Sequence, residues 1–403
     1  MRETGAVGQT RADDPRSATV LVSTGDVSGD RNAGALVRAL RRRRPELRFV
    51  GSGGAELEKA GVELIVDQRE FSVGGFLSVA GSAVRLLLAL RRLGRALRAT
   101  RPALVVLVDY GGFNLRFARR AQRSGVPVLY YVSPQVWAWR RYRLRQIARR
   151  VDRVAAILPF EPEVYAGTGL RVDFVGHPLV EPIRRFAAGC DRDAARRALG
   201  LGADATCVVL LPGSRRFELE NMLPVHLEAA RRLHARHPHI HFALALANAD
   251  VRARVEAHVA RAALPASLRI DRFEGRTREA IRAADVAVAT PGTVTLEVAL
   301  LGCPLVVAGR TNPLEAAIAR RLLHIPALAM PNLIAGQPIV PELLQEQARP
   351  ESVARAVETL LIGPAREAQL ARLADVRARL GAGDAAERAA EIAEEMLVEA
   401  GRS

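Results

Sequence analysis

The run Val105-Val106-Leu107-Val108 is an apolar strand that ends at Asp109-Tyr110-Gly111-Gly112-Phe113-Asn114. This sets a carboxylate at the carboxyl edge of a parallel sheet, where such folds bind ligands. A carboxylate there can take a proton from a substrate hydroxyl as that oxygen attacks an electrophilic carbon, which makes Asp109 the candidate general base. The same residue would equally serve as a helix cap or as a partner of Arg116. A second constellation is Thr290-Pro291-Gly292-Thr293-Val294-Thr295-Leu296-Glu297, which follows an apolar strand and begins a helix. Gly292 allows close approach of a ligand, the amide and hydroxyl of Thr293 can hold a diphosphate, and Glu297, one turn on, can accept from ribose hydroxyls. Arg215 supplies a positive charge that would stabilise a departing diphosphate, and no metal or cofactor is then required. The alternative for the segment is a capped helix start with Glu297 as a first-turn acid.

Two further segments have the form strand, glycine, helix: Gly25-Asp26-Val27-Ser28-Gly29-Asp30 and Leu210-Leu211-Pro212-Gly213-Ser214-Arg215-Arg216. Glycine permits the tight turn, and free amides at the following helix start attract an anion or a sugar hydroxyl. Either turn alone is weak evidence; their repetition in the two halves of the chain is the informative part. Both tryptophans of the chain lie in Ser133-Pro134-Gln135-Val136-Trp137-Ala138-Trp139-Arg140. In so aromatic-poor a protein this suggests a packed wall beside a ligand, with core packing as the alternative. Asp191-Arg192-Asp193 has the look of a metal-binding pair but follows no apolar strand, so it is expected to cap a helix. His237-Pro238-His239-Ile240-His241 lacks Cys or carboxylate neighbours and is expected to form a surface turn.

These residues need a scaffold, and the hydrophobic pattern supplies one. Strand-like runs at 19–23, 49–51, 64–66, 104–108 and 128–132 alternate with helical ones, and the alternation restarts with strands at 207–211, 241–246, 285–289 and 304–308. That order predicts two doubly wound parallel sheets. Helices are expected at 33–44, 194–199 and 223–236. A hinge is expected at 176–190, where Gly176, Pro178, Pro182 and Gly189 fall. The division is then an extension at 1–17, domains at 18–178 and 179–350, and terminal helices at 351–403.

A chain of 403 residues with 49% hydrophobic but only 4% aromatic content fits two cores of Ala, Val and Leu. The net charge of +16 comes almost wholly from arginine, since Lys59 is the only lysine. The arginines are spread over many helices without aromatic interleaving, which argues against nucleic acid and for an anionic surface or substrate. Cys190, Cys207 and Cys303 are isolated, so neither a disulfide framework nor a zinc site is indicated, and a reducing cytoplasm is the simplest compartment. Residues 1–17 lack the apolar core of a signal peptide, and no run is long enough to span a bilayer.

Residues 71–97 interleave Phe71, Phe76, Leu77, Leu86, Leu87, Leu88, Leu90, Leu93 and Leu97 with Arg85, Arg91, Arg92 and Arg95. Such a segment can lie in a bilayer interface, with apolar side chains among the acyl groups and guanidinium groups on lipid phosphates. It can equally be an amphipathic core helix with a solvated arginine face.

Taken together the segments resemble the lipid-A-disaccharide synthases, inverting glycosyltransferases of family 19 with the two-Rossmann-domain GT-B fold. The resemblance runs from about Thr19 to the terminal helices. It is carried by Ser28-Gly29-Asp30, Asp109 with Phe113-Asn114, Tyr131-Val132-Ser133-Pro134, Trp137-Ala138-Trp139-Arg140, Leu158-Pro159-Phe160-Glu161, Gly176-His177-Pro178, Leu211-Pro212-Gly213-Ser214-Arg215, Gly292-Thr293, Leu296-Glu297, Pro331-Asn332-Leu333 and Val340-Pro341-Glu342-Leu343-Leu344-Gln345-Glu346. It implies transfer of 2,3-diacylglucosamine from its UDP derivative to 2,3-diacylglucosamine 1-phosphate, giving a β-1,6 tetraacyl disaccharide phosphate and UDP. By carry-over Asp109 would be the base on the acceptor 6-hydroxyl. Gly213, Ser214, Arg215, Gly292, Thr293, Thr295, Glu297 and Asn332 would hold the UDP-sugar. Asp26, Ser28, Gly29, Asn114, Gln135 and Trp137 would line the acceptor side of the cleft. Phe71, Phe76 and Leu77 would meet the cytoplasmic face of the inner membrane, which favours the interfacial reading of that segment; a homodimer is also allowed for.

Four departures from the family pattern fall near the cleft: Asp26 in place of Glu, Gly111-Gly112 in place of Pro-Asp, Pro291 in place of Ser, and Gly309 in place of Tyr. The glycine pair is expected to loosen the loop that holds Asp109. Two other readings are another GT-B enzyme of UDP-sugars, with a different lipid acceptor or with epimerase activity, and a non-catalytic lipid- or nucleotide-binding relative.

Overall fold

The computed structural model describes residues 18–72, 79–139, 142–246, 251–312, 316–317, 321 and 325–401. The first sheet is built from β1 (Thr19–Ser23), β2 (Arg48–Gly53), β3 (Glu63–Asp67), β4 (Leu104–Val108), β5 (Val128–Tyr131), β6 (Arg153–Ala156) and β7 (Arg171–Phe174). All are parallel, in the order β3-β2-β1-β4-β5-β6-β7. The second sheet holds β8 (Cys207–Leu211), β9 (His241–Leu246), β10 (Ile270–Glu274), β11 (Val286–Ala289), β12 (Leu305–Gly309) and β13 (Glu342–Leu344). It too is parallel, in the order β10-β9-β8-β11-β12-β13.

In both sheets the chain order reverses at the first strand, between β1 and β4 and between β8 and β11. That reversal opens a crevice at the carboxyl ends of the strands. The central strands are buried on both faces, which is why β4 reads as an unbroken run of Val and Leu and β8 as the same after Cys207. Each such side chain taken from water contributes about 1.5–3 kcal/mol before entropy is counted. The four strands that the hydrophobic pattern did not predict, β6, β7, β10 and β13, have three to five residues each. They carry Arg, Asp or Glu within them, so no apolar run announces them.

Two helices begin well before their apolar periodicity does. The first, Val27–Arg43, takes Ser28, Gly29 and Asp30 into its opening turn, because Asp26 caps it by accepting from the Gly29 amide at 2.6 Å. The other, Arg216–Arg236, starts directly after the Gly213 turn and runs through Pro224. Asp191 caps the helix Arg192–Ala198 by accepting from Ala194 N at 2.7 Å. His237 Nε2 lies 2.9 Å from Glu358 Oε1 at the turn before β9.

The terminal helices are shared out rather than stacked as a block. Pro350–Leu361 covers one face of the second sheet and Pro364–Arg379 the other. Ala385–Gly401 crosses back and packs on the helix Val27–Arg43 of the first domain. At that crossing His177 N donates to Leu380 O at 3.2 Å, and Gly176 lies against Gly381. The connection at residues 176–190 therefore has a second chain segment beside it.

Candidate active site

In the second domain a cleft of about 730 Å³ opens at the crevice between β8 and β11. Gly213, Ser214, Arg215, Gly292, Thr293 and Glu297 all line it. Gly213 has φ +104° and Gly292 φ +145°, conformations that suit glycine. Arg215 is exposed to the cleft, and its Nη1 lies 2.8 Å from Glu218 Oε1. The Glu218 carboxylate also accepts from the Ser214 and Arg215 amides at 2.9 and 3.1 Å, so the donors at this helix start are held by the chain itself. Those contacts and Arg215 draw the Glu218 carboxyl below the usual range, despite its partial burial. Glu297 pairs with Arg278 at 3.4 Å.

Two residues expected to hold the UDP-sugar are turned to other tasks. Thr295 is fully buried; its hydroxyl donates to Gly292 O at 2.7 Å and accepts from Met330 N. Asn332 is also buried, accepting from the Ile339 and Val340 amides and donating to Val340 O and Glu342 Oε1. With every polar atom committed, both brace the cleft from behind.

Asp109 stands at the end of β4 with φ +49°, followed by Tyr110 at φ +49°, and Val132 at the end of the neighbouring β5 has φ +55°. Three non-glycine residues in the left-handed region at two adjacent strand ends mark stored strain at a functional place. The strain is held by Asn114, whose Nδ2 donates to Ser23 O, Val108 O and Asp109 O at 3.1, 3.1 and 2.8 Å. Its Oδ1 accepts from Ser23 Oγ at 2.7 Å, and Tyr130 Oη donates to Asp109 O at 2.8 Å. Asn114 is thus a buried positioning residue and not part of the cleft lining. Burial, and then the nearby Asp26 carboxylate, push the Asp109 carboxyl above its ordinary range, against the Tyr110 N–H that stabilises its charge. A raised carboxyl is a stronger base once ionised.

The first glycine turn lies directly behind Asp109. A Cβ on Gly29 would sit 2.2 Å from Thr24 Oγ1 and 3.5 Å from Asp109 Cβ, and one on Gly25 would sit 2.3 Å from the Tyr110 ring. Here glycine allows protein to approach protein. Asp30, whose carboxylate accepts from Gly54, Glu56 and Leu57 amides, caps a neighbouring helix and is also structural. The same helix reaches across with Arg31, which lines the second-domain cleft.

Trp137 is buried, in edge contact with Phe160 at 4.9 Å, within a core cluster that includes Val180, Ile183 and second-domain residues. Gln135, two residues earlier, is exposed. Glu161 anchors the loop: it is buried and accepts from the Ile157 and Leu158 amides at 3.0 Å each. Burial pushes its carboxyl up to about 7, against the two amides, Trp137 and Ser133, all of which favour its charge. Phe76 and Leu77 lie outside the described residues, as does the side chain of Phe71. The helix Val79–Thr100 buries Ala89, Leu90, Leu93 and Leu97, yet Val84, Leu87 and Leu88 point outward on the same face as Arg91 and Arg95.

A model of the lipid-A-disaccharide synthetase family matches residues 20–396, nearly the whole chain. The chain belongs to this family. It is 42% identical to the lipid-A-disaccharide synthase of Syntrophus aciditrophicus over 94% of its own length and 97% of that protein's. With the synthase of Anaeromyxobacter dehalogenans the figure is 44%, over 92% and 96%. Among solved structures it is similar to the glycotransferase of kitacinnamycin (TM-score 0.62, 19% identity, 95% of this chain and 100% of that one). It is similar also to MurG of Acinetobacter baumannii (TM-score 0.59, 16% identity, 94% and 99%). These likenesses show the GT-B fold, and the family makes the chain a glycosyltransferase.

Within this family member the departures acquire a structural reading. A Cβ on Gly111 would lie 2.6 Å from Pro134 Cβ, so glycine there lets the tryptophan loop close on the start of the helix Gly111–Arg123. The Asp109 carbonyl is held by Asn114 and Tyr130, on the strand side of the glycine pair. Pro291 and Gly309 are neighbours: a Cβ on Gly309 would lie 2.9 Å from two Pro291 ring atoms. Arg31, Gly275, Thr277 and Arg278 also line the cleft, and no sequence motif marks them. Gly275 follows β10 as Gly213 follows β8, a signal hidden only because β10 is too polar to read as a strand.

Proposed function

We propose that this enzyme transfers 2,3-diacylglucosamine from its UDP derivative to 2,3-diacylglucosamine 1-phosphate, with inversion, forming the β-1,6 tetraacyl disaccharide phosphate and UDP. The observation that carries the reading is the helix Val27–Arg43. Its first turn packs against Asp109, and its Arg31 lines the cleft that holds Gly213, Arg215, Gly292, Thr293 and Glu297. Base and leaving-group pocket are thereby joined by one rigid element.

In this mechanism Asp109 removes the proton from the acceptor 6-hydroxyl as the oxygen attacks the anomeric carbon from the face opposite the diphosphate. The bond from that carbon to the diphosphate oxygen breaks with its electron pair, and Arg215, with the Thr293 amide and hydroxyl, balances the charge that develops on UDP. Glu297 receives the ribose hydroxyls while Arg278 holds its carboxylate in place. The outward Val84, Leu87 and Leu88, flanked by Arg91 and Arg95, suit the surface of an anionic bilayer; no described helix is long and apolar enough to cross one. That face supports a peripheral membrane position, and the family resemblance puts it at the cytoplasmic face of the inner membrane.

Purified protein given both diacylated substrates should release UDP and tetraacyl disaccharide phosphate. Asp109→Asn should lower kcat by roughly 10²–10⁴ while UDP still binds. Absence of product with every acyl length tried, despite UDP binding, would overturn the assignment. Leu87→Ser with Leu88→Ser should reduce sedimentation with anionic vesicles; unchanged sedimentation would return that face to ordinary solvent exposure.

A further inference from the structure

A second cavity of about 550 Å³ adjoins the first cleft and shares Glu218, Thr290 and Pro291 with it. Its volume lies in the range of ligand pockets. Unlike the first, it has an apolar floor, made by Met222, Pro291, Ile325, Leu328 and Leu344. Its rim also carries Arg310 and Glu346, while Glu342 is consumed by the Leu328 and Ala329 amides and Asn332 Nδ2 at 2.9, 3.0 and 2.7 Å. Glu218 is held by the Ser214 and Arg215 amides. Thr290 and Pro291 stand between the two spaces, and Gly309 packs on the Pro291 ring from the side of the second. Any side chain at 309 would meet the Pro291 ring at 2.9 Å and Leu344 Cδ2 at 3.4 Å.

A ligand that fills both spaces has a charged group for the Arg215 and Thr293 cleft and a flexible aliphatic arm for the neighbouring one. We propose that the second cavity seats an acyl chain of the donor, reached past Thr290 and Pro291, with Gly309 letting the Pro291 ring lie close against the cavity wall. This rests on the donor reading above and adds to it: acyl length is sensed in the second domain, on the donor, separately from the acceptor and from the membrane-facing helix.

The test is equilibrium binding to the full-length protein of three probes: UDP, UDP-glucosamine carrying two butanoyl chains, and the same compound carrying two long saturated hydroxyacyl chains. A buried methylene is worth roughly a fourfold gain in affinity, so three of them give roughly a fiftyfold preference for the long-chain donor. Gly309→Leu, whose side chain would displace the Pro291 ring and Leu344 in the cavity wall, and Leu328→Ser, which wets the floor away from Pro291, should each cut that preference at least roughly tenfold with UDP affinity unchanged. Should Gly309→Leu also weaken UDP, the Leu328→Ser result decides. Equal binding of short and long donors by the unaltered protein, or full retention of the preference in Leu328→Ser, would overturn the proposal. Because binding is read directly, failure of turnover would strike the proposed reaction and leave this measurement intact.

Discussion

The two strand-glycine-helix turns, at Gly25 and at Gly213, look alike as sequence and do opposite things. At the first, the space that glycine leaves is filled by Tyr110 and Thr24, and the helix start is capped by Asp26. At the second, the turn faces a cleft, Arg215 stands in it, and the amides are held by Glu218, a side chain on a mobile-length stem. A glycine turn therefore specifies close approach without specifying what approaches. The first turn shapes the seat of the base and the second offers charge to a leaving group.

The largest expected effect tests that division. Arg215→Ala should lower kcat by roughly 10²–10³, whereas Ser28→Ala, exposed at the first turn, should change it less than about threefold, measured by UDP release. Comparable losses would end the distinction. Next, Gly29→Val should destabilise the fold by about 1–3 kcal/mol in urea denaturation, since its Cβ would overlap Thr24 Oγ1. If stability were unchanged, the tight packing behind Asp109 would be wrong.

The helices behind the turns differ too: the first buries Asp30 with three amide partners, while the second buries His226 with no hydrogen-bond partner among the described residues. Burial pushes the His226 imidazole down to about 3, so it is neutral across the working pH range. His226→Leu should therefore stabilise the protein by about 1 kcal/mol, and Asp30→Ala should destabilise it by more, both read from denaturation midpoints.

The smallest effect is a shift in a profile. The Asp26 charge raises the Asp109 carboxyl, so Asp26→Asn lowers it and moves the acidic limb of kcat/KM to lower pH. An unmoved limb would show that burial alone sets the base.

Much of the fold was legible. Thr19–Ser23, Leu104–Val108, Cys207–Leu211 and His241–Leu246 stand where unbroken apolar runs put them. Asp109, Gly213, Arg215, Gly292, Thr293 and Glu297 were each marked by a place at the carboxyl end of such a run, and the last five line one cleft. Arg31 and Arg278 carried no comparable signal, because one arginine on a helix looks like any other in a chain so rich in them. Asn114, Thr295 and Asn332 were read as ligand contacts, yet hydrogen-bonding capacity alone does not say whether the partner is a substrate or the backbone.

The sequence by itself determined the two parallel sheets and the strand ends that carry the chemistry, because hydrophobic periodicity and turn-forming residues act locally along the chain. Only the tertiary structure decided which polar side chains are free to meet a ligand. It also decided that the helix Ala385–Gly401 returns to the first domain and that Pro291 and Gly309 share a wall. These are matters of through-space packing between residues far apart in the chain, where a contact is fixed by the shape of the whole and not by the neighbours in sequence.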